Sequence, residues 1–403
     1  MRGSVRLLTA AIAAVALTVT GCGGSEPAPA PVDEPTIDPG ALDFGPYDPT
    51  PRDMGKPKNP EQAAIFEAER LGNYMPLPMD IDPAFVYNGM LQTLTFIDPK
   101  ESLLRDFADL GHFAEDAPDL ISGFVNYGKN DPDNYGIELV NAAMIFPSEQ
   151  RATEVAAALE RRDFTTDPQM QAVAIPNYPQ AHAHWVPTQQ VIDVWYPVGR
   201  LVLYTSIYDQ AKSYFNKVDL PDLVARATRS LDKVVPAVTK FTPTPPDKLM
   251  DQPVDIDGML GRTMVRPQAA QGEWLNPPGV YTGLQGLAFD SDPADTRKWW
   301  EAVGVDRFAD YGNLVIRTRD AAAAKDAVEE LAGSAKKFKP AAAPKNLPIA
   351  QCREYTGPVQ QAIRFYCAVN QGRYVGQSAA EQLLDAQQRI SAQYAIFVKA
   401  DKE

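Results

Sequence analysis

The sequence predicts an α+β protein made of two similar modules, each a mostly antiparallel sheet with helices packed on one face. Three observations lead to this prediction: an order of strands and helices that occurs twice, helix boundaries with the same start and stop residues in both copies, and a Pro-rich segment between them. The repeated order favours an internal duplication, with modules at 58–241 and 279–403 and a linker at 242–278. Two unrelated α+β domains are the alternative.

The first 21 residues have the pattern of a lipoprotein signal peptide. Arg2 and Arg6 precede an apolar run, Leu7–Val19, which is too short to span a bilayer. The segment Val19-Thr20-Gly21-Cys22 resembles a bacterial lipobox, which implies that Cys22 carries diacylglycerol on its sulfur, is acylated by a fatty acid such as palmitate, and becomes the mature N-terminus. An ordinary secretory signal with an incidental cysteine is the alternative.

Residues 22–57 are rich in Pro, Ala and Asp and predict a disordered tether, because such a composition buries too little apolar surface to fold.

The first module begins at Asn59, a helix cap that is followed by Pro60 at the first helical position. A strand at Leu94–Ile97 leads into a predicted helix that starts at Asp98, carries Leu103, Leu104, Phe107 and Leu110, and stops at Gly111. The remaining predicted elements are a strand at Tyr135–Phe146, a helix capped by Ser148, strands at His182–Val186, Val191–Tyr196 and Leu201–Ile207, and an amphipathic helix from Pro221 to about Val235.

The second module repeats this order. A strand ending at Phe289 precedes a helix that starts after Asp292 and stops at Gly304. The corresponding helix of the first module starts at Asp98 and stops at Gly111 in the same way. The later elements are a strand at Leu314–Thr318, a helix capped by Asp320 and ending at Gly333, strands at Cys352–Thr356, Ile363–Val369 and Arg373–Gly376, and a helix from Ala379 to about Lys399.

Length and charge limit the function classes. The chain has 403 residues, 45% of them apolar, and a net charge of -14. This length suffices for one large or two ordinary domains. An acidic surface repels nucleic acid and anionic lipid headgroups, so we expect no nucleic-acid partner, and we expect membrane attachment through acyl chains.

Two cysteines remain once Cys22 is assigned to the lipid. Cys352 and Cys367 lie on strand-like segments separated by a turn at Gly357-Pro358, and an exported protein is in a compartment that permits disulfides. These positions predict a disulfide; two free buried thiols are the alternative.

His182 and His184 alternate on a predicted strand, so both side chains point to one face, and Asp193 lies on the next strand. This spacing suits a metal site, which needs at least three ligands. Histidines that are simply at the surface or in the core of a half-buried strand are the competing interpretation.

Catalytic motifs give little support for an enzyme. There is no G-x-S-x-G, and no cofactor-binding motif leads us to predict a cofactor. The adjacent Trp299 and Trp300 lie about 100° apart on a helix, so both cannot point fully into one core and one of them could line a ligand groove, although core packing is the favoured role for each.

Several segments resemble a family of mycobacterial and nocardial lipoproteins of unknown function. At the N-terminal side they are Leu42–Tyr47, Thr50–Arg52 and Glu67–Leu71; at the C-terminal side they are Gly372–Val375, Gln382–Gln388 and Ala392–Tyr394. The resemblance implies an actinobacterial cell-envelope lipoprotein with N- and C-terminal domains, and it implies no reaction.

The function predicted from these observations is non-catalytic. We expect a lipid-anchored protein on the extracytoplasmic face of the cell membrane that binds an envelope protein, lipid or glycan. Two alternatives stay open: an envelope hydrolase that uses carboxylates or the histidine pair, and a structural envelope component without a small ligand.

Overall fold

A computed structural model describes residues 37–88, 94–132, 135–265, 278–357 and 363–401. Residues from Asp38 to Glu403 form one compact unit. The predicted signal peptide, Cys22 and the first part of the predicted tether lie outside the described residues.

The predicted α+β class is confirmed, and the first module contains a seven-stranded sheet in which every neighbouring pair is antiparallel. The strands are β1 Thr95–Phe96, β2 Ser122–Lys129, β3 Ile137–Ile145, β4 Gln171–Ala172, β5 His182–Val186, β6 Val191–Val198 and β7 Leu201–Asp209. The strand order across the sheet is β1-β2-β3-β7-β6-β5-β4.

The second module also contains a seven-stranded antiparallel sheet. Its strands are β8 Gly279–Thr282, β9 Arg307–Asp310, β10 Leu314–Arg317, β11 Phe338–Ala341, β12 Gln351–Tyr355, β13 Phe365–Gln371 and β14 Tyr374–Ala380. Their order across the sheet is β11-β12-β13-β14-β10-β9-β8.

The two sheets have the same topology. Pairing β1 with β8, β2 with β9, and so on to β7 with β14, reproduces one sheet order from the other. The predicted pair of similar modules is therefore present. The sequence analysis gave no range for four strands: β2 and β9, and the short edge strands β4 and β11, whose residues are mostly exposed. The strand that it placed up to Phe289 is wrong, because Gly283–Phe289 is a 3-10 helix and β8 precedes it.

Helices cover both faces of each sheet, whereas the sequence predicted one face. The helices are α1 Pro60–Gly72, α2 Pro78–Ile81, α3 Phe113–Asp116, α4 Glu149–Asp163, α5 Gln210–Tyr214, α6 Leu220–Val238, α7 Pro293–Val303, α8 Ala321–Gly333 and α9 Leu383–Ala400. In the first sheet, Val202 packs with α4 and Leu203 with α6, on opposite faces. In the second sheet, Ile316 packs with α8 and Val315 with α9. Central strands that are apolar at consecutive positions need cover on both sides, and this explains the difference.

One apolar core contains residues of both modules. Leu71 of α1 and Phe124 of β2 belong to the same cluster as Tyr281 of β8 and Phe308 of β9, and the rings of Phe124 and Tyr281 are 6.4 Å apart. Asn88 adds a polar contact between modules, because its side-chain amide donates to the carbonyl oxygen of Ala288 at 2.7 Å.

The described parts of the predicted tether and linker pack against the modules. Tyr47 contacts Asp385 on α9, and Gln388 donates to Asp43 at 2.9 Å. Thr244, in the predicted linker, donates its backbone N–H to the buried carboxylate of Glu67 at 2.6 Å. Apolar side chains such as Leu42, Val254 and Leu260 are buried in these segments, which a composition rich in Pro does not reveal.

The predicted helix from Asp98 to Gly111 is wrong in its length. Two short 3-10 turns, Pro99–Glu101 and Leu103–Asp106, replace it. Ser102 separates them: its hydroxyl donates to the carbonyl of Pro99 and accepts from the N–H of Leu104. A serine that bonds its neighbouring backbone in this way competes with a continuous helix.

The predicted disulfide is confirmed, and it links Cys352 of β12 to Cys367 of β13, which are direct partners across the strands. Throughout the described residues, no helix combines the length and the apolar character that crossing a membrane requires.

Candidate functional site

The first module has a cavity of about 740 Å³ beside the C-terminal end of α4. Its walls come from the end of the 3-10 turn Leu103–Asp106 and the residues that follow it, from the end of α4 and the segment that follows, and from β3, β5, β6 and β7. It therefore lies on the face of the first sheet that α4 covers.

Six carboxylate residues line this cavity, and none of the described lining residues is Lys or Arg. The six are Asp106, Asp109, Glu138, Asp163, Asp167 and Asp193. Such a concentration of one sign of charge in a concave site attracts cations, because the low-dielectric walls focus the field.

An imidazole lies between the two innermost carboxylates. His184 Nε2 is 3.6 Å from Asp163 Oδ2 and 3.6 Å from Asp193 Oδ2. His184 is fully buried, and neither of its ring nitrogens is within hydrogen-bonding distance of a partner among the described residues. Asp163 and Asp193 are 5% and 6% exposed, so the cluster has little solvent to screen its charges.

Local structure explains how these three residues meet. Ser148 caps α4 by accepting a hydrogen bond from the Arg151 N–H, and Asp163 is the last residue of that helix. His184 on β5 and Asp193 on β6 are direct cross-strand partners, so their side chains share one face of the sheet. The end of α4 then places Asp163 over this pair.

The position of Asp163 is electrostatically unfavourable in three ways. It is buried, it lies beside another carboxylate, and it sits at the C-terminal end of a helix, where the helix dipole favours cations. Burial and the Asp193 charge raise the pKa of Asp163 to about 6, although His184, Trp195 and the Asp109 N–H act in the opposite direction. Burial by itself lowers the pKa of His184, but the Asp193 and Asp163 carboxylates offset this, and the pKa is raised.

Neighbouring donors orient both carboxylates. The indole N–H of Trp195 donates to Asp163 Oδ2 at 3.2 Å, and the N–H of Asp109 donates to Asp163 Oδ1 at 3.2 Å. The Tyr204 hydroxyl lies 2.7 Å from Asp193 Oδ1 and 2.7 Å from the carbonyl oxygen of Phe107. Trp195 and Tyr204 are themselves buried and packed together, with ring centroids 4.5 Å apart, so these orientations are well supported.

The structure brings together two of the three residues that the sequence analysis named for a metal site. His184 and Asp193 converge, whereas His182, half-buried at the start of β5, is absent from the cluster. Asp163 was missed. An acidic residue at the end of a helix, where basic residues are favoured, is the signal that could have pointed to it.

The two adjacent tryptophans have different environments. Trp300 is 3% exposed and its ring lies 5.7 Å from that of Phe308 in the shared core. Trp299 is half-buried and packs edge-on against Trp300 at 5.9 Å. Trp300 is thus a core residue, and a groove lined by Trp299 stays a prediction.

A second cavity of about 470 Å³ lies where the modules meet. Its walls include Ile65 and Phe66 of α1, Phe96 of β1, and Pro278 and Tyr311 of the second module. Its lining is more apolar than that of the first cavity, and it has no comparable convergence of titratable side chains among its described walls.

The family of the chain is shown by two domain profiles. The N-terminal domain of unknown function DUF7373 matches residues 54–254, and the C-terminal domain of the same name matches residues 259–400. The chain therefore belongs to the DUF7373 family. The profiles meet inside the predicted linker, and no function is attached to either domain.

Comparison with characterised proteins adds little. No curated protein matches the chain. Among solved structures, the extracellular domain of PknH from Mycobacterium tuberculosis is similar over 43% of this chain and 97% of that domain, with a TM-score of 0.30 and 9% sequence identity. A likeness at this level carries no argument about function.

Proposed function

We propose that this protein is a non-catalytic, lipid-anchored component of an actinobacterial cell envelope that binds a ligand carrying a cationic group in the acidic cavity of its first module. The observation that supports the proposal is the convergence of six carboxylates on one cavity with no Lys or Arg among the described lining residues. Amine groups of an envelope lipid, an amino sugar or a basic protein segment have the required chemistry.

Two carboxylates at the rim of the cavity, Asp167 and Glu138, accept hydrogen bonds from neutral groups among the described residues. Asp167 accepts hydrogen bonds from the side-chain amide of Gln189 and from the Gln169 N–H, and Glu138 accepts one from the amide of Gln210. Neutral donors fix these side chains in place without cancelling their charge, so the rim remains attractive to a positively charged group.

Anchoring is a separate part of the proposal and is supported by the sequence of residues 1–22. Lipid on Cys22 would hold the DUF7373 domains at the extracytoplasmic face of the membrane. We expect wild-type protein to partition with detergent and Cys22→Ser protein to partition with water. Mass spectrometry that finds an unmodified cysteine at the mature N-terminus would refute this part.

Ligand binding is tested with spermidine as the cationic probe. Isothermal titration calorimetry should show binding to wild-type protein and a loss of at least tenfold in the Glu138→Gln, Asp167→Asn double variant. The matched control is Asp326→Asn, Glu329→Gln, which removes the same charge from an exposed face of α8 in the second module. Equal affinity in all three proteins would show that the cavity is not the binding site.

The hydrolase alternative has one supporting observation, which is that two carboxylates and an imidazole converge at the inner end of the cavity. We expect any such activity toward chromogenic ester, phosphate or glycoside substrates to be absent in Asp193→Asn. Activity that persists in this variant would show that the hydrolysis does not depend on these carboxylates and this imidazole.

A further inference from the structure

We propose that Asp163, His184 and Asp193 bind one divalent transition-metal ion, with Zn²⁺ as the probe, at the inner end of the acidic cavity. This inference rests on the proposed function in one respect, because it names a specific cation for the same cavity. It depends on a different set of residues from Glu138 and Asp167, the two carboxylates at the rim of the cavity.

The first argument is the unpartnered imidazole. His184 is fully buried, yet in the part of the chain that the structure describes neither ring nitrogen makes a hydrogen bond. A buried polar group without a partner costs free energy, so a native structure that keeps one usually has a reason. Nε2 is directed between two carboxylate oxygens at 3.6 Å from each, which is beyond the 2.7–3.2 Å of an ordinary N–H···O hydrogen bond.

The second argument is geometric. Ligand atoms 2.0–2.2 Å from a tetrahedral zinc ion are separated from one another by about 3.3–3.6 Å. The two measured nitrogen–oxygen separations of 3.6 Å fall at the upper end of this range. One ligand atom from each of the three residues lies within 4.8 Å of the other two, so small side-chain rotations suffice to close the site.

The third argument is charge. With a neutral imidazole the cluster contains two buried carboxylates, one of them at the negative end of α4. A divalent cation would neutralise both charges and also interact favourably with the helix dipole. A buried cluster that combines like charges, an unfavourable helix end and little solvent at one place is expected at functional sites.

The fourth argument concerns orientation. Trp195 and the Asp109 N–H hold Asp163, and Tyr204 contacts Asp193 Oδ1 while Oδ2 faces His184. Partners of this kind fix carboxylate ligands around metal ions. Because Asp163 and Asp193 also line the cavity, an ion between them and His184 would have its remaining coordination position toward solvent. One imidazole with two carboxylates suits a transition metal better than Mg²⁺ or Ca²⁺, which prefer oxygen ligands alone.

The experiment uses mature-length protein stripped of metal with a chelator and then titrated with ZnCl₂ by calorimetry. We expect one ion per chain and a loss of affinity of at least 100-fold in both Asp193→Asn and His184→Gln. His182→Gln is the matched control, since it alters the neighbouring histidine of the same strand, and it should bind as wild type. Circular dichroism and thermal unfolding establish that each variant is folded.

Tyr204→Phe provides a second line that leaves all three ligands in place. We expect it to weaken Zn²⁺ binding by about 10–100-fold, the usual effect of removing a group that orients a ligand. If Asp193→Asn and His184→Gln fail to fold, the metal site is tested instead by the weakened Zn²⁺ binding of Tyr204→Phe and by the visible absorption of Co²⁺ bound to wild-type protein.

Two results would overturn the inference: no binding of Zn²⁺ or Co²⁺ to folded wild-type protein, or binding that is equal in wild type, Asp193→Asn and His184→Gln. The rim variant Glu138→Gln, Asp167→Asn distinguishes this outcome from failure of the proposed function. It should lose spermidine binding while keeping Zn²⁺, whereas Asp193→Asn should lose Zn²⁺.

Discussion

Removal of the disulfide should destabilise the protein by an amount that depends on how the modules unfold. Cys352 and Cys367 are buried cross-strand partners on β12 and β13, separated by 15 residues in the sequence. A cross-link that closes a loop of this length stabilises the folded state by about 3 kcal/mol through the entropy of the unfolded chain. We therefore expect a loss of about 3 kcal/mol in the Cys352→Ala, Cys367→Ala double variant.

The shift in melting temperature follows from the size of the unit that unfolds. If the unit from Asp38 to Glu403 unfolds as a whole, its unfolding entropy predicts a decrease of about 4 °C. If residues 279–403 unfold by themselves, the same free energy corresponds to about 11 °C. The core shared by Phe124 and Tyr281, together with the contact of Thr244 with Glu67, favours the smaller shift.

Differential scanning calorimetry of mature-length protein measures this shift. Wild-type protein under reducing conditions is the control, because it loses the cross-link and keeps both sulfur atoms in the core. An unchanged melting temperature in the double variant and in reduced wild type would refute the reasoning. A decrease near 11 °C would instead show that the shared core fails to couple the modules.

Three further predictions concern the stability of the first module and its junction with the second. Glu69 is 3% exposed, no ion pair is formed by its carboxylate among the described residues, and burial raises its pKa well above 4.5. In the folded protein the Glu69 carboxyl therefore holds a proton that the unfolded chain releases. Because of this, the free energy of unfolding should fall as pH rises above about 4.5. Glu69→Gln should flatten this pH dependence in urea unfolding curves. Gly72→Ala should cost about 1–3 kcal/mol in the same assay, because a Cβ would lie 2.6 Å from the Phe124 ring. Lys212→Gln should cost about 1–3 kcal/mol, and less in high salt, because its ammonium group contacts three carboxylates.

Matched controls separate these effects from general sensitivity. Glu61→Gln, an exposed change on the same helix as Glu69, should leave the pH dependence as it is in wild type. Gly111→Ala should have a small effect, since the only atom near its Cβ is a carboxylate oxygen of Asp109 at 3.1 Å. Lys298→Gln removes an exposed ion pair with Asp295 and should change stability little. A prediction fails if its variant and its control behave alike.

Much of the fold could be predicted because local patterns agreed with the tertiary structure. The strand predicted at His182–Val186 is β5 with the same ends, and the helix predicted after Ser148 is α4. Caps at Ser148 and Asp320 accept the expected hydrogen bonds from the helix N–H groups. These elements carry strong periodicity and clear boundaries, and both signals depend on neighbouring residues alone.

Other features could not be predicted from the local patterns. The residues after Asp98 have helical spacing, but the hydrogen bonds of Ser102 to the neighbouring backbone divide the segment into two turns. The sequence analysis took Leu42 as part of a tether, yet it is buried in the compact unit. In this second case the local composition is that of a tether, and long-range packing decides the outcome.

The candidate site shows the same division. Alternation along β5 and the position of β6 were enough to associate His184 with Asp193. Asp163 is 21 residues before His184 and joins the pair only because α4 crosses that face of the sheet, and His182 is left out because it lies at the half-buried start of the strand.

Sequence by itself determined the class, the repeated order of elements, the acidic charge and the cysteine pair, since each of these follows from residue types and spacing along the chain. Only the tertiary structure decided that helices cover both faces of each sheet, that the two modules share a core, and that three titratable side chains meet at the inner end of one cavity. The physical reason is that burial, like-charge proximity and an unpartnered imidazole are properties of residues distant in sequence, and they arise only when the chain has folded.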